Sequence, residues 1–181
     1  TERQAEVLAL IADLPREAFL LAGYGGAAGG GKTSLLANVA INISLTWPGA
    51  RTLIGRHELI HLKTTTLQEF DAVLPGGLLH RAYSAGTIWR EIRDPSWPEG
   101  VTSSVYFAGT QDAQGAIGSE AFGWVLLDEA HEIGERDATY LFSRLRHKPE
   151  RKRGFIACFN PFPSWPVRWF MEKALPPEIL A

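Results

Sequence analysis

The sequence predicts an α/β fold built on a doubly wound, mainly parallel sheet flanked by helices. Three observations carry that prediction. The apolar runs at residues 18–22, 123–127 and 154–159 are continuous rather than alternating, as in strands covered on both faces. Segments with apolar residues at helical spacing stand between such runs. The polar motifs fall directly after the runs, at the carboxyl ends of strands, where open α/β sheets bind ligands.

Taken in order, Val7, Leu8, Ile11 and Leu14 recur at helical spacing until Pro15 stops them, and residues 18–22 follow as a buried strand. Residues 23–31 hold six glycines and read as a loop, and 33–45 read as a helix closed by Trp47-Pro48-Gly49. A second βα unit comes next, with a strand at 51–55, a helix at about 62–73 and a turn at Pro75-Gly76-Gly77. Between 78 and 119 the pattern is weak, with one alternating strand at 103–108. The strand at 123–127 ends on Asp128-Glu129, a helix is expected at 136–146, and the strand at 154–159 ends on Asn160-Pro161.

The chain has 181 residues, enough for one domain that buries roughly 70% of its unfolded surface. Hydrophobic residues make up 45% and charged ones 21%, which excludes a disordered, collagen-like or coiled-coil chain. No apolar run approaches the ~20 residues of a membrane span, and the N-terminus carries no secretory signal pattern, so no membrane partner is expected. A lone cysteine, Cys158, allows neither an internal disulfide nor a cysteine-based zinc cluster, and a reducing, cytosolic setting is expected. His57 and His61 are thin material for zinc, and no structural metal is expected. The net charge of −2 leaves any polyanion site to local clusters.

Gly26, four residues, then Gly31-Lys32-Thr33 form a phosphate-binding loop between a strand and a helix. Glycine is required because the backbone must curl with its N–H groups turned inward against phosphate oxygens. The candidate nucleotide-binding residues are Gly26, Gly29, Gly30, Gly31, Lys32, Thr33 and Ser34. Lys32 would bridge β- and γ-phosphates, which also places it among the catalytic candidates, and the Thr33 hydroxyl would ligate Mg2+. Asp128, ending an apolar strand, fits the carboxylate that holds the magnesium shell, and Glu129 fits a general base for the attacking water. Asn160 reads either as a contact to the γ-phosphate or its water, or as a turn-forming Asn-Pro. Together these features predict an ATP-hydrolysing, magnesium-dependent P-loop NTPase.

Four segments, 25–34, 55–59 (Gly-Arg-His-Glu-Leu), 125–133 (Val-Leu-Leu-Asp-Glu-Ala-His-Glu-Ile) and 159–165 (Phe-Asn-Pro-Phe-Pro-Ser-Trp), together resemble the ATPase domain of the large terminase subunit, the motor that packages DNA into tailed-phage capsids. The resemblance spans about residues 4–170 and implies a RecA-like P-loop NTPase fold of the ASCE class. It also implies ATP and Mg2+ as cofactors and Asn160 in a coupling motif. Gln4 stands where many of these ATPases place an adenine-reading glutamine, although a surface glutamine is the alternative. The implied partners are double-stranded DNA, a portal protein, a small terminase subunit and further copies in a homo-oligomeric ring, with the host cytoplasm at the procapsid as the location. A single ATPase domain over residues 1–181 is expected, with no room for the family's downstream nuclease domain.

Positions 27 and 28 are alanine and 109–129 hold no Arg or Lys, so the family's arginine finger is unassigned; Arg56, Arg136 and Arg144 are the candidates. Asp128-Glu129-Ala130-His131 also spells the acidic box of superfamily 2 DEAH-type helicases, but Phe-Asn-Pro stands where a helicase has Ser-Ala-Thr. A third reading is an ATP-gated assembly module with negligible turnover alone. Arg144, Arg146, Lys148, Arg151, Lys152 and Arg153 form a cationic cluster suited to DNA phosphates, to an acidic neighbouring subunit, or simply to solvent at a helix end. Trp165, Trp169 and Phe170 read as packing a C-terminal helix on the sheet or as meeting an absent domain, with base stacking as the alternative.

Overall fold

Continuous apolar strands need cover on both faces, and the computed structural model supplies it. Residues 2–15, 17–26, 29–84, 86–147 and 152–180 are described. Seven strands form one sheet in the order β1-β7-β6-β2-β5-β4-β3. These are β1 (Phe19–Gly25), β2 (Arg51–Arg56), β3 (Leu79–Tyr83), β4 (Ile88–Ile92), β5 (Ser103–Gly109), β6 (Trp124–Leu127) and β7 (Arg153–Phe159). The first five in spatial order run parallel, and β4 and β3 extend the β5 edge as antiparallel neighbours.

Alternate residues of the central strands enter two separate cores. Ile54, Leu126 and Ile156 face α2 (Lys32–Thr46) and pack with Leu35, Leu36, Val39 and Ile43, while Leu53, Val125, Leu127 and Phe155 face the other side. That second face is covered by α5 (Ala113–Ile117), α6 (Glu135–Phe142) and the indoles of Trp165 and Trp169. Trp165 and Trp169 are buried, with a π-helical turn over Val167–Met171, so the packing reading of these aromatics holds. α1 (Glu2–Ala12) adds Ile11 to the α2 side, and α7 (Pro177–Leu180) lies against α6.

Several boundaries differ from the sequence expectation, each for a physical reason. β1 runs on into the glycine segment because Gly23, Tyr24 and Gly25 pair with Ala157, Cys158 and Phe159 of β7. The helix expected at 62–73 begins earlier, as α3 (Leu59–His61), passes through a π-helical turn at Leu62–Thr66 and continues as α4 (Leu67–Val73). α6 stops at Phe142 rather than Arg146, because Arg144 and His147 leave the helix to bracket Phe122 through backbone bonds of 2.9 and 3.0 Å. β3, β4 and α5 occupy the stretch whose pattern was weak.

This order of strands sets the site. β1, β7, β6 and β2 are neighbours, so their carboxyl ends bring the glycine loop, Asn160, Asp128-Glu129 and Arg56 into one row.

Candidate nucleotide site

The loop leaves β1 at Gly26, whose N–H donates to Phe159 O of β7 at 3.3 Å. Gly29 and Gly31 have φ of +78° and +70°, the left-handed region that a side chain makes costly. A Cβ at Gly26 or Gly29 would meet nothing within 4 Å, so open space borders the loop at both positions. α2 starts at once after Gly31 with no side chain capping its first turn, which leaves its N-terminal amides and dipole for an anion. Gln4 of α1 closes the other side, donating from Nε2 to Gly31 O at 3.0 Å.

Lys32 is buried, and its ammonium donates to Gly26 O at 3.1 Å and to Asn160 Oδ1 at 2.8 Å. Thr33 Oγ1 donates to Asp128 Oδ2 at 3.2 Å, and Thr66 Oγ1 to the same oxygen at 2.7 Å. Arg56 Nη1 stands 3.6 Å from Asp128 Oδ2 and donates to Thr65 Oγ1 at 2.8 Å. Asp128 is 0% exposed, so these donors replace the water that a buried carboxylate requires. Hard oxygens from a hydroxyl and a carboxylate suit Mg2+, and Thr33 Oγ1 lies 3.4 and 3.2 Å from the two Asp128 oxygens, so both residues are within reach of one ion.

Glu129 differs from its neighbour in every respect. Its backbone is left-handed, with φ 47° and ψ 49°, and its side chain is 21% exposed. It accepts from Asn160 Nδ2 at 3.3 Å and lies 3.5 Å from His131 Nδ1, while the Asn160 N–H donates to His131 Nδ1 at 3.3 Å. Asn160 therefore touches both the loop lysine and the second carboxylate. Under the loop, burial followed by the charge of Asp128 pushes the Cys158 thiol well above its usual range, which leaves it an inert packing group.

The family model for the phage terminase large subunit matches residues 20–176 of this chain. The chain belongs to the phage terminase large subunit family. Solved structures share the fold. The large terminase of the thermophilic bacteriophage D6E is 15% identical with a TM-score of 0.65, over 87% of this chain and 38% of that one. The same terminase in complex with ATP-gamma-S gives 13% and 0.65, over 87% and 37%. The large terminase ATPase domain of Thermus phage P74-26 gives 13% and 0.57, over 91% and 68%. The chain thus spans less than two fifths of the length of the D6E terminase. No curated protein matches it.

As in an α/β P-loop NTPase, the residues singled out in this terminase chain converge where the sheet's strand ends adjoin. Lys32, Asn160 and Glu129 form one bonded set, Thr33 and Asp128 form a second beside it, and Gln4 bonds the loop at Gly31. The Ser34 hydroxyl donates to Glu69 of α4. Of the three candidate arginines, Arg56 lies in the second set and Arg136 in the first turn of α6, whereas Arg144 stacks on Tyr140 at 4.7 Å near the amino end of β6. The described part of the cationic cluster lies at that same far edge: Lys152 sits over Trp47 at 5.0 Å and Arg153 donates to Leu145 O. Lys148, Arg151 and the loop alanines 27 and 28 lie outside the described residues.

Sequence reasoning missed Thr66 and Glu69, whose only signal was polar residues inside an apolar-periodic helix. A cavity of about 470 Å³ beside α5, lined by Trp89, Tyr106 and Phe122, offers one carboxylate, Glu120, among its described lining residues and no cation. No described helix is long and apolar enough to cross a membrane.

Proposed function

We propose that this chain is the Mg2+-dependent ATP-hydrolysing domain of a DNA-packaging motor. The observation that carries the reading is the Thr33–Asp128 contact, which joins the loop to a wholly buried carboxylate at the adjoining strand end. The loop amides and the α2 N-terminus bind the phosphates, and Lys32 moves from Gly26 O and Asn160 Oδ1 onto the β- and γ-phosphate oxygens. The bond from Gln4 to Gly31 O supports a role for Gln4 in reading the nucleotide beside the loop. Thr33 and Asp128 would hold magnesium, which when bound would neutralise phosphate charge and polarise the phosphoryl oxygens.

The two carboxylates divide the work by environment. Asp128 is held by two hydroxyl donors and an ion pair with Arg56, whereas Glu129 reaches solvent and can accept a proton. Water attacks the γ-phosphorus as the bond to the β-bridging oxygen breaks, and Glu129 takes the water proton, giving ADP and phosphate. Asn160 bridges Lys32 and Glu129 and so links phosphate occupancy to the base. Arg56 supplies positive charge from within the chain. The work is done on double-stranded DNA, in a homo-oligomeric ring with a portal protein and a small terminase subunit, at the procapsid in the host cytoplasm.

Steady-state hydrolysis tests this, for wild type and Glu129→Ala, with and without Mg2+ and linear duplex DNA. The variant is expected to keep nucleotide binding and lose turnover by ~10²–10⁴-fold. Equal rates in both proteins refute the assignment of Glu129. Binding without measurable wild-type turnover at any protein concentration points instead to an ATP-gated assembly module.

A further inference from the structure

The π-helical turn Leu62–Thr66 is an irregularity with an identifiable cause and a specific product. Three β-branched residues, Thr64, Thr65 and Thr66, follow one another where a helix favours unbranched side chains. The first two turn their hydroxyls back on the helix: Thr64 Oγ1 donates to Ile60 O at 3.0 Å and Thr65 Oγ1 to His61 O at 2.7 Å, a pattern that loosens and bends helices. The backbone widens, and the Leu67 N–H bonds five residues back to Leu62 O. Such single π turns concentrate at functional sites because the widened turn re-aims one side chain.

The side chain re-aimed is Thr66. It is 0% exposed and donates to Asp128 Oδ2 at 2.7 Å, the shortest hydrogen bond that this carboxylate receives from the described residues. Thr65 completes the arrangement by accepting from Arg56 Nη1 at 2.8 Å, which holds that guanidinium 3.6 Å from the same oxygen. Oδ2 thus takes Thr66 and Arg56 together with a 3.2 Å bond from Thr33, while Oδ1 receives only the 3.4 Å contact from Thr33 among the described residues. We propose that Thr66 is a positioning residue of the magnesium site: its hydroxyl fixes the Asp128 carboxylate in the rotation that presents Oδ1 to the metal's shell. This rests on the ATPase reading above. Partners of this kind, bonded to a metal-site carboxylate rather than to the metal, set its orientation and basicity.

The test uses Thr66→Val, which keeps the branched shape and removes the donor, and Thr66→Ser, which keeps the donor. Binding of a fluorescent ATP analogue is titrated with Mg2+, and repeated in EDTA. Thr66→Val is expected to need about tenfold more Mg2+ for half-maximal enhancement of binding, with affinity in EDTA unchanged, and Thr66→Ser to match wild type. An unchanged Mg2+ requirement in Thr66→Val overturns the proposal and leaves the ATPase reading standing. So does an equal shift in both variants, since that is a packing effect. If wild type binds the analogue identically with Mg2+ and EDTA, the magnesium-dependent reading itself falls, and the role of Thr66 with it.

Discussion

Glu129 holds its carboxylate from a backbone that L-residues avoid, and the strain is measurable apart from the chemistry. At φ 47° and ψ 49° the Cβ crowds the following carbonyl, which costs about 1–2 kcal/mol for any residue but glycine. Glu129→Ala keeps that strain, and Glu129→Gly removes it. Both variants lose the same contacts, the 3.3 Å bond from Asn160 and the 3.5 Å approach of His131, so these cancel in the comparison. Glycine gives back about 0.5–1 kcal/mol through the greater freedom of its unfolded chain. The balance leaves Glu129→Gly about 0.5–1 kcal/mol more stable than Glu129→Ala, a rise of roughly 1–4 °C in Tm for a chain of this size. Thermal unfolding of the two variants in nucleotide-free buffer reads the difference, with both expected to lack turnover. A Glu129→Gly melt at or below that of Glu129→Ala refutes the claim that this position is strained.

Two further predictions concern the strand that carries Asn160. A Cβ at Gly154 would lie 2.1 Å from Trp124 Cζ3, on an indole stacked at 5.6 Å against Trp47, so Gly154→Ala is expected to cost about 2–3 kcal/mol and lower Tm by roughly 4–12 °C; an unchanged melt would show that the indoles can give way. Cys158 has its folded pKa raised above the ordinary 9.0 by burial, so the unfolded chain releases its proton first and stability falls as pH rises beyond about 9. Urea unfolding of wild type and Cys158→Ala from pH 7 to 10.5 checks the sign, since the gap between them is expected to move against wild type only at the alkaline end.

The parallel half of the sheet was legible because its strands are buried on both faces, and uninterrupted apolar runs such as Val125-Leu126-Leu127 have few other meanings. The catalytic candidates were legible for a related reason: Asp128 and Asn160 are the first polar residues after such runs, so topology alone puts them at a ligand edge. β3 was illegible because all five of its residues are exposed, which leaves no apolar face to generate a period of two. The end of α6 was misread because Arg144 and Arg146 continue a helical composition that bridging to Phe122 overrides. Thr66 was invisible for a deeper reason. Nothing in a run of three threonines tells which hydroxyls bond their own helix and which one leaves it for a carboxylate 62 positions away.

The geometry also constrains how the site can respond to a ligand. α2 carries the chain from β1 over two strand positions to β2, and β7 and β6 fill the gap, so β7 must end between the loop and the acidic pair. Among the described residues, Asn160 therefore bonds both Lys32, 128 residues earlier, and Glu129 on the neighbouring strand end. Its amide oxygen takes the lysine and its amide nitrogen serves the carboxylate, and the two ends of one planar group cannot reorient independently. On the proposed reading, phosphate that draws Lys32 away frees the oxygen end, and among the described residues the amide nitrogen keeps its 3.3 Å bond to Glu129. Arrival of the γ-phosphate at Lys32 is, on that reading, felt at the base through this one amide, at the end of β7.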